Sequence, residues 1–229
     1  MTALVRMRVT GFVRAGRALA PLICGVVVIS VLYGGGAAPA GEAYGVCAVV
    51  MFPVLAWQSK LLLDAEPDVQ RRLARVSVGE RRELVAGLLA AGVMAVPTVA
   101  IALVLPWLIG GIESVPGPGE PPLVVGVALG GWAHLIAVPA GVALGAVASR
   151  AVTGGPLYGV LVLVSGMVGV LVLGLRSSVV PWLTPPLMAT ARELAGGLTA
   201  TTAVLLTAHA LGWSAVVLAG YARLRHRRS

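Results

Sequence analysis

Charged residues are scarce in this chain of 229 residues: 11% are charged, whereas 58% are hydrophobic. A soluble domain of this length carries about a quarter charged residues. The mean hydropathy of +0.95 agrees with that deficit. The composition therefore excludes an ordinary soluble domain and predicts that most of the chain faces lipid or other buried helices.

The residues that bind nucleotides and metals are also in short supply. Lysine occurs once, at Lys60, and the sequence contains no Gly-x-x-x-x-Gly-Lys-Ser/Thr loop, so no P-loop ATPase site is predicted. Three histidines and two cysteines are too few and too scattered for a metal cluster. Cys24 and Cys47 fall at different depths in the predicted spans and are interpreted as small buried residues without a disulfide. No cofactor is expected in this chain.

Long apolar runs are what the sequence does contain. A membrane-spanning helix needs about 20 mostly apolar residues. Six segments qualify, at residues 18–38, 43–63, 84–110, 123–148, 154–175 and 198–222. A transmembrane barrel would alternate apolar and polar residues, and the runs here are continuous. The fold class predicted is all-α, a single polytopic membrane domain of six spans.

The positive charges fall on one side of this predicted topology. With both termini inside, the inner segments hold 15 of the 17 Arg and Lys residues, and the outer ones hold Arg176 and Arg192. This bias predicts cytoplasmic termini and an even number of spans. The basic pI is therefore a topology signal, and no nucleic-acid partner is expected. The excess of Arg over Lys is typical of a GC-rich bacterium, so the predicted location is a bacterial inner membrane.

The N-terminal segment, residues 1–17, has a helical charge pattern. Arg6, Arg14 and Arg17 fall within one arc at about 100° per residue, and Arg8 breaks the pattern. We predict an amphipathic helix on the inner surface of the bilayer, the alternative being a disordered basic tail. The basic start and first apolar run also resemble a signal peptide, but the following spans favour a retained helix.

Residues 64–83 are the most informative segment. Pro67 can begin a helix, and Val69, Leu73 and Val76 follow at helical spacing as an apolar stripe. The polar side is formed by Arg71, Arg72 and Arg75. The run from Ser77 to Glu80 matches a capping box and predicts the start of the third span. The pattern indicates a short surface helix, a turn, and then a membrane helix.

Two outer segments are irregular. Residues 111–122 contain four prolines, at Pro116, Pro118, Pro121 and Pro122, and cannot be helical throughout. Residues 176–197 are apolar and rich in proline, which predicts broken half-helices re-entering the outer leaflet with Trp182 at the interface. The pairs Gly126/Gly130, Gly141/Gly145 and Gly155/Gly159 permit close contact between helices.

An enzymatic function is weakly indicated. The predicted spans contain no Asp or Glu, and His134 and His209 are more often packing residues than proton relays. Ser165 and His209 resemble the dyad of rhomboid intramembrane proteases. However, Leu163 replaces the glycine that precedes the serine in that family, and the earlier His and Asn motif is missing. A non-catalytic protein is predicted, and the protease is an alternative.

The order of these elements resembles the permease subunit of ABC-2 type transporters, over nearly the whole chain. The resemblance implies an exporter of an amphipathic small molecule, peptide or lipid, as in antibiotic export, with alternating access as its mechanism. It also implies two partners, a cytoplasmic ABC subunit that binds ATP and Mg, and a second copy of the permease or a homologous one. A structural or immunity-type membrane protein acting without ATP is the other alternative.

The resemblance further implies that residues 67–77 are a coupling helix that docks on the ATP-binding subunit. Its residues in this sequence are Pro67, Asp68, Val69, Arg71, Arg72, Leu73, Arg75, Val76 and Ser77. Arginines would meet acidic groups of that subunit while the apolar stripe packs down. Gln58 and Ser59, near the inner end of the second span, are candidates for an inner gate. The alternative is a basic loop beside the membrane that only follows the charge rule.

Overall fold

The computed structural model describes residues 1–113 and 121–227. The helices are α1 (Thr2–Arg14), α2 (Leu19–Tyr33), α3 (Ala40–Leu63), α4 (Asp68–Val78), α5 (Glu80–Leu108), α6 (Leu123–Val147), α7 (Arg150–Thr153), α8 (Pro156–Leu173), α9 (Leu187–Gly196) and α10 (Ala200–His226). A 3₁₀ turn covers Pro181–Leu183. Within the described residues the chain is helical apart from turns and one isolated bridge between Ala38 and Ile112.

Five helices, α3, α5, α6, α8 and α10, are long and apolar enough to cross a membrane. The count is six if α1 and α2, which meet at a bend of 71°, are taken together as one span. The predicted class, an all-α membrane protein, is therefore confirmed in its coarse form. The helix boundaries lie within a few residues of the predicted ones for these five helices.

The first predicted span is the one that differs most. The helix ends at Tyr33, not at residue 38, and its 15 residues cover about 22 Å, less than the ~30 Å hydrocarbon core. Gly36, with φ of 129°, lies beyond this end, and Ala38 then runs extended beside Ile112. Hydropathy alone could not locate this boundary, because glycine and alanine here are apolar and yet not helical.

The centre of the bundle is α3. Its apolar window is 67% buried, against 17% in α8 and 11% in α10, which lie at the periphery. Glycines of α6 allow α3 to approach closely: a Cβ atom at Gly130 would lie 2.5 Å from Cβ of Tyr44, and one at Gly141 would lie 2.8 Å from Cβ of Leu55. The contact that the glycine spacings predicted is confirmed for Gly126/Gly130 and Gly141/Gly145.

The junction of α4 and α5 is a single residue, Gly79. Ser77 belongs to α4, where its hydroxyl donates to the carbonyl of Ala74 at 3.0 Å, so the expected capping box is wrong. Gly79 separates the helices with φ of 86°, a conformation that favours glycine. The third membrane helix nevertheless begins at Glu80, as the change of pattern indicated.

The structure describes the second of the two predicted outer segments in full and the first only in part. In the first, Pro116, Pro118 and Glu120 lie outside the described residues, and the neighbouring Ile112 pairs with Ala38. In the second, the 3₁₀ turn is followed by α9, which buries Leu187, Thr190 and Leu194 against the bundle. Broken helices are thus present there, and the re-entry into the outer leaflet stays a prediction.

Candidate functional site around Glu83

One buried carboxylate lies at the end of the bundle that carries Lys60, Arg75, Arg150 and Arg225, here called the basic end. It belongs to Glu83 in the first turn of α5, whose side chain is 1% exposed. A charge this deeply buried is stable only when it is paired. The surroundings of Glu83 provide that pairing from three other helices.

Three arginines surround the Glu83 carboxylate. The Nη2 atom of Arg8, from α1, lies 2.5 Å from Oε1. The guanidinium of Arg225, near the end of α10, donates to Oε2. The Nε atom of Arg75, on α4, lies 3.7 Å from the same oxygen. A single side chain therefore holds α1, α4 and α10 to the start of α5.

Further contacts fix the orientation of these arginines. The Nη1 atom of Arg8 donates to the main-chain oxygen of Glu83 at 3.0 Å, and Nη2 also binds the carboxylate of Glu66. The Nη1 atom of Arg225 donates to the hydroxyl of Tyr221 at 3.0 Å. Charge-assisted bonds of this kind are about twice as strong as neutral ones. We call Arg8, Glu66, Arg75, Glu83 and Arg225 the Glu83 cluster.

A second charged network fixes the C-terminal end of α3. The Nζ atom of Lys60 lies 2.7 Å from Oδ2 of Asp64. The other oxygen of Asp64 accepts from the main-chain N–H of Arg150 at 2.7 Å. This arrangement ties the end of α3 to the start of α7, and it leaves Lys60 largely buried rather than extended to the membrane surface.

The apolar stripe of α4 is turned away from the bundle. Val69, Leu73 and Val76 are 68%, 64% and 88% exposed. The stripe therefore does not pack against this chain, and Arg75 on another side of α4 approaches Glu83 instead. The side of this amphipathic helix that carries Arg75, and not its apolar stripe, therefore lies against the bundle.

The remaining predicted coupling residues have varied surroundings. Pro67 is the residue before the first turn of α4, and the side chain of Asp68 lies outside the described part. Arg71 lines the same small cavity as Glu66 and Glu83, and Arg72 is exposed. Ser77 is exposed at the end of the helix. The structure brings Arg71 and Arg75 to the Glu83 cluster and leaves Arg72 and the stripe at the surface.

The candidate gate residues Gln58 and Ser59 are both buried. The amide of Gln58 donates to the carbonyl of Met94 at 3.0 Å and accepts from the hydroxyl of Thr98 at 2.8 Å. Ser59 donates to the carbonyl of Leu55 at 2.7 Å. Gln58 thus joins α3 to α5 in this conformation, and a role in gating stays a prediction.

An apolar groove of about 570 Å³ runs between α2, α3 and α8. Its walls include Val28, Val54, Leu163 and Met167, and Lys60 lies in its lining as well. Grooves of this volume are common binding sites for small apolar ligands.

The residues of the alternative protease dyad, Ser165 and His209, hydrogen-bond to main-chain carbonyls of other residues. The Oγ atom of Ser165 donates to the carbonyl of Leu161 at 2.6 Å, and Nε2 of His209 lies 3.2 Å from the carbonyl of Trp182. His134 is buried, with Nδ1 2.8 Å from the carbonyl of Gly130. Across residues 1–113 and 121–227, no group of three or more His, Cys, Asp or Glu residues could hold a metal. Cys24 and Cys47 are free thiols; Cys47 is buried, as predicted, whereas Cys24 is only partly buried.

The sequence pattern does not predict the Glu83 cluster, although the position of Arg8 is one signal of it. Arg8 breaks the amphipathic arc of α1, and the structure shows that it faces the protein rather than the surface. Glu83 lies one residue before the predicted third span, in a segment that reads as a polar loop. An arginine that breaks an amphipathic pattern and an acidic residue in the first turn of an apolar helix together indicate a buried ion pair.

Comparison with known proteins gives no relative: no family model, no curated protein and no solved structure matches this chain.

Proposed function

We propose that this protein is the permease subunit of an ATP-driven exporter, with ATP hydrolysed by a separate cytoplasmic subunit that docks on α4. One observation carries the proposal: α4 presents three exposed apolar side chains at the basic end while Arg75 of the same helix lies beside a buried carboxylate. An exposed apolar stripe on a short helix outside the long spans is typical of a docking surface.

The Glu83 cluster supports the proposal because it supplies a mechanical connection. A subunit that pushes on α4 would move α5 through Arg75 and Glu83, and with α5 the attached α1 and α10. Energy from ATP binding changes the conformation only if it distinguishes two states of the bundle. The motion proposed is rocking of these four helices as a unit, which alternates access to the translocation path.

The apolar groove between α2, α3 and α8 is the proposed place for this path. Its volume of about 570 Å³ and apolar walls suit an amphipathic small molecule, a lipid chain or the side chains of a peptide. A second permease chain would close the groove on its open side. Export as the direction of transport, and an inner bacterial membrane as the location, rest on the resemblance and the charge bias alone.

Site-specific photocrosslinking from α4 tests the docking. A photoreactive residue at Val76, expressed in the native host, should crosslink an ATP-binding subunit that carries a P-loop. The matched control is Val179, which is 91% exposed in the segment between α8 and α9. A Val76 probe that captures only lipid, or no more of the ATP-binding subunit than the Val179 probe, counts against the proposal.

Reconstitution with the captured subunit tests coupling separately from folding. Leu73→Ser should lower transport-linked ATP hydrolysis several-fold without moving the thermal unfolding midpoint, because the Leu73 side chain is 64% exposed in this chain. Ser77→Ala, on the exposed end of the same helix, is the control and should retain activity. Full coupling in the Leu73→Ser protein would contradict the assigned role of α4.

A further inference from the structure

A cavity of about 350 Å³ lies at the basic end, between α1 and the segment that joins α3 to α4. Its apolar wall includes Met7, Phe12 and Leu62. Its polar lining is formed by Arg8, Arg17, Glu66 and Gln70. This volume is at the low end of the range for small-molecule sites, so the cavity suits a compact polar group rather than a large solute.

Glu66 has an unmet hydrogen-bonding requirement in this lining. Its side chain is 10% exposed, and Oε2 pairs with Arg8. The other oxygen, Oε1, is buried and has no hydrogen-bond partner among the described residues. A carboxylate oxygen only accepts hydrogen bonds, and leaving it unsatisfied when buried is costly. The missing partner is therefore a donor.

The charges of the lining favour a zwitterionic ligand. The Arg8 guanidinium is already shared between Glu66 and Glu83, whereas Arg17 is exposed at the rim. An anion without a donor would face the free oxygen of Glu66, and a simple cation would face Arg17. A ligand that joins an ammonium group to a phosphate meets both, because arginine binds phosphate through charge-assisted hydrogen bonds.

We propose that this cavity binds the headgroup of phosphatidylethanolamine, a zwitterionic phospholipid with a primary ammonium group. The ammonium donates to Oε1 of Glu66, and the phosphate binds Arg17. The acyl chains leave along the apolar side of the cavity, beside Phe12 of the amphipathic α1. This site does not depend on the proposed transport function, since it requires only that α1 lies at the bilayer surface.

Lipid competition on the full-length chain in detergent tests the proposal by native mass spectrometry. Phosphatidylethanolamine should bind about tenfold more tightly than phosphatidylcholine with the same acyl chains, because the trimethylated choline nitrogen has no N–H to donate. Phosphatidylglycerol, which lacks the ammonium, should also bind more weakly. Equal affinity for the three lipids would overturn the proposal and leave water as the partner of Glu66.

Soluble phosphoethanolamine separates a membrane lipid from a free metabolite with the same chemistry. It carries both charges but no acyl chains, so it should fail to displace the lipid at equal concentration. Displacement by equimolar phosphoethanolamine would overturn the assignment to a lipid.

Filling the cavity provides the decisive variant. A Cβ atom at Gly11 would meet no atom within 4 Å, so Gly11→Leu should fill the space without a clash. The affinity of the Gly11→Leu protein for phosphatidylethanolamine should then exceed its affinity for phosphatidylcholine by less than about twofold. Gly92→Leu on α5, where the space around the Cβ is also open, should keep the preference.

Two further variants test the site in case Gly11→Leu does not fold. Arg17→Gln changes an exposed side chain and removes a phosphate contact. It should therefore weaken the binding of phosphatidylethanolamine and of phosphatidylcholine by a similar factor. Glu66→Gln should abolish the preference for the primary ammonium over choline. Retention of the full preference in Glu66→Gln, or unchanged affinity for both lipids in Arg17→Gln, would overturn the proposed site even if Gly11→Leu does not fold.

Discussion

The Nη2 atom of Arg8 lies 2.5 Å from Oε1 of Glu83, although 75 positions separate the two residues in the chain. The contact joins the N-terminal amphipathic helix to the start of a membrane helix. Because Glu83 also pairs with Arg225, the same carboxylate links the beginning and the end of the described chain. Glu83 is therefore the acidic side chain at the basic end that joins α1 and α10 to α5.

Glu83→Gln should destabilise the protein strongly. The substitution keeps the shape of the side chain and removes its charge, so Arg8 and Arg225 lose the buried partner that compensates them. Removal of one member of a buried ion pair typically costs about 3–5 kcal/mol. The thermal unfolding midpoint in detergent should fall accordingly.

The control for that experiment is Glu80→Gln, three residues earlier on the same helix. Glu80 is 40% exposed and pairs with the exposed His226, so its charge is screened and should be worth less than about 1 kcal/mol. Equal shifts of the midpoint in the two variants would show that Glu83 is not the centre of the cluster.

Gly130→Ala and Gly131→Ala form a matched pair that tests the packing of α3 on α6. A Cβ at Gly130 would lie 2.5 Å from the Tyr44 side chain, whereas one at Gly131 would meet nothing within 4 Å. Gly130→Ala should destabilise by about 1–3 kcal/mol through overpacking. Gly131→Ala should be neutral or slightly stabilising, since alanine is the better helix former. Similar unfolding midpoints for both would contradict the close contact.

The hydrogen bond between Thr98 and Gln58 should be measurable as a coupling energy between α5 and α3. Such bonds inside membrane proteins contribute on average about 0.6 kcal/mol, and up to about 1.7. A double-mutant cycle with Thr98→Val and Gln58→Leu, followed by unfolding in detergent, measures it. Additive effects of the two substitutions would show that the bond contributes nothing, and transport assays on the same variants test the gating prediction.

Labelling of introduced cysteines tests the predicted orientation. In a background with Cys24→Ala and Cys47→Ala, Arg72→Cys should react only with a membrane-permeant maleimide. Val179→Cys should react with an impermeant reagent added outside intact cells, since the side chain is 91% exposed. The opposite result would place α4 outside and remove the basis for a cytoplasmic coupling helix.

The sequence alone was sufficient for the class of fold and for much of α4. Continuous apolar runs, the shortage of charge and the asymmetry of arginine all indicate a helical membrane protein, because lipid solvates apolar side chains and requires the backbone to be internally bonded. The break at Gly79 and the amphipathic pattern from Val69 to Val76 likewise follow from local chemistry. These features depend on neighbours in the chain, so periodicity reveals them.

The face of α4 that points inward, the burial of Gln58 and the Glu83 cluster were decided only by the tertiary structure. Each depends on residues far apart in sequence, such as Arg8 and Arg225, that meet at one carboxylate. A hydrophobic pattern predicts that the apolar face of an amphipathic helix is covered, but it does not reveal which surface covers it. In α4 the side that carries Arg75 lies against the bundle, where Arg75 adds a third positive charge beside the buried Glu83 carboxylate, and the apolar stripe is left exposed.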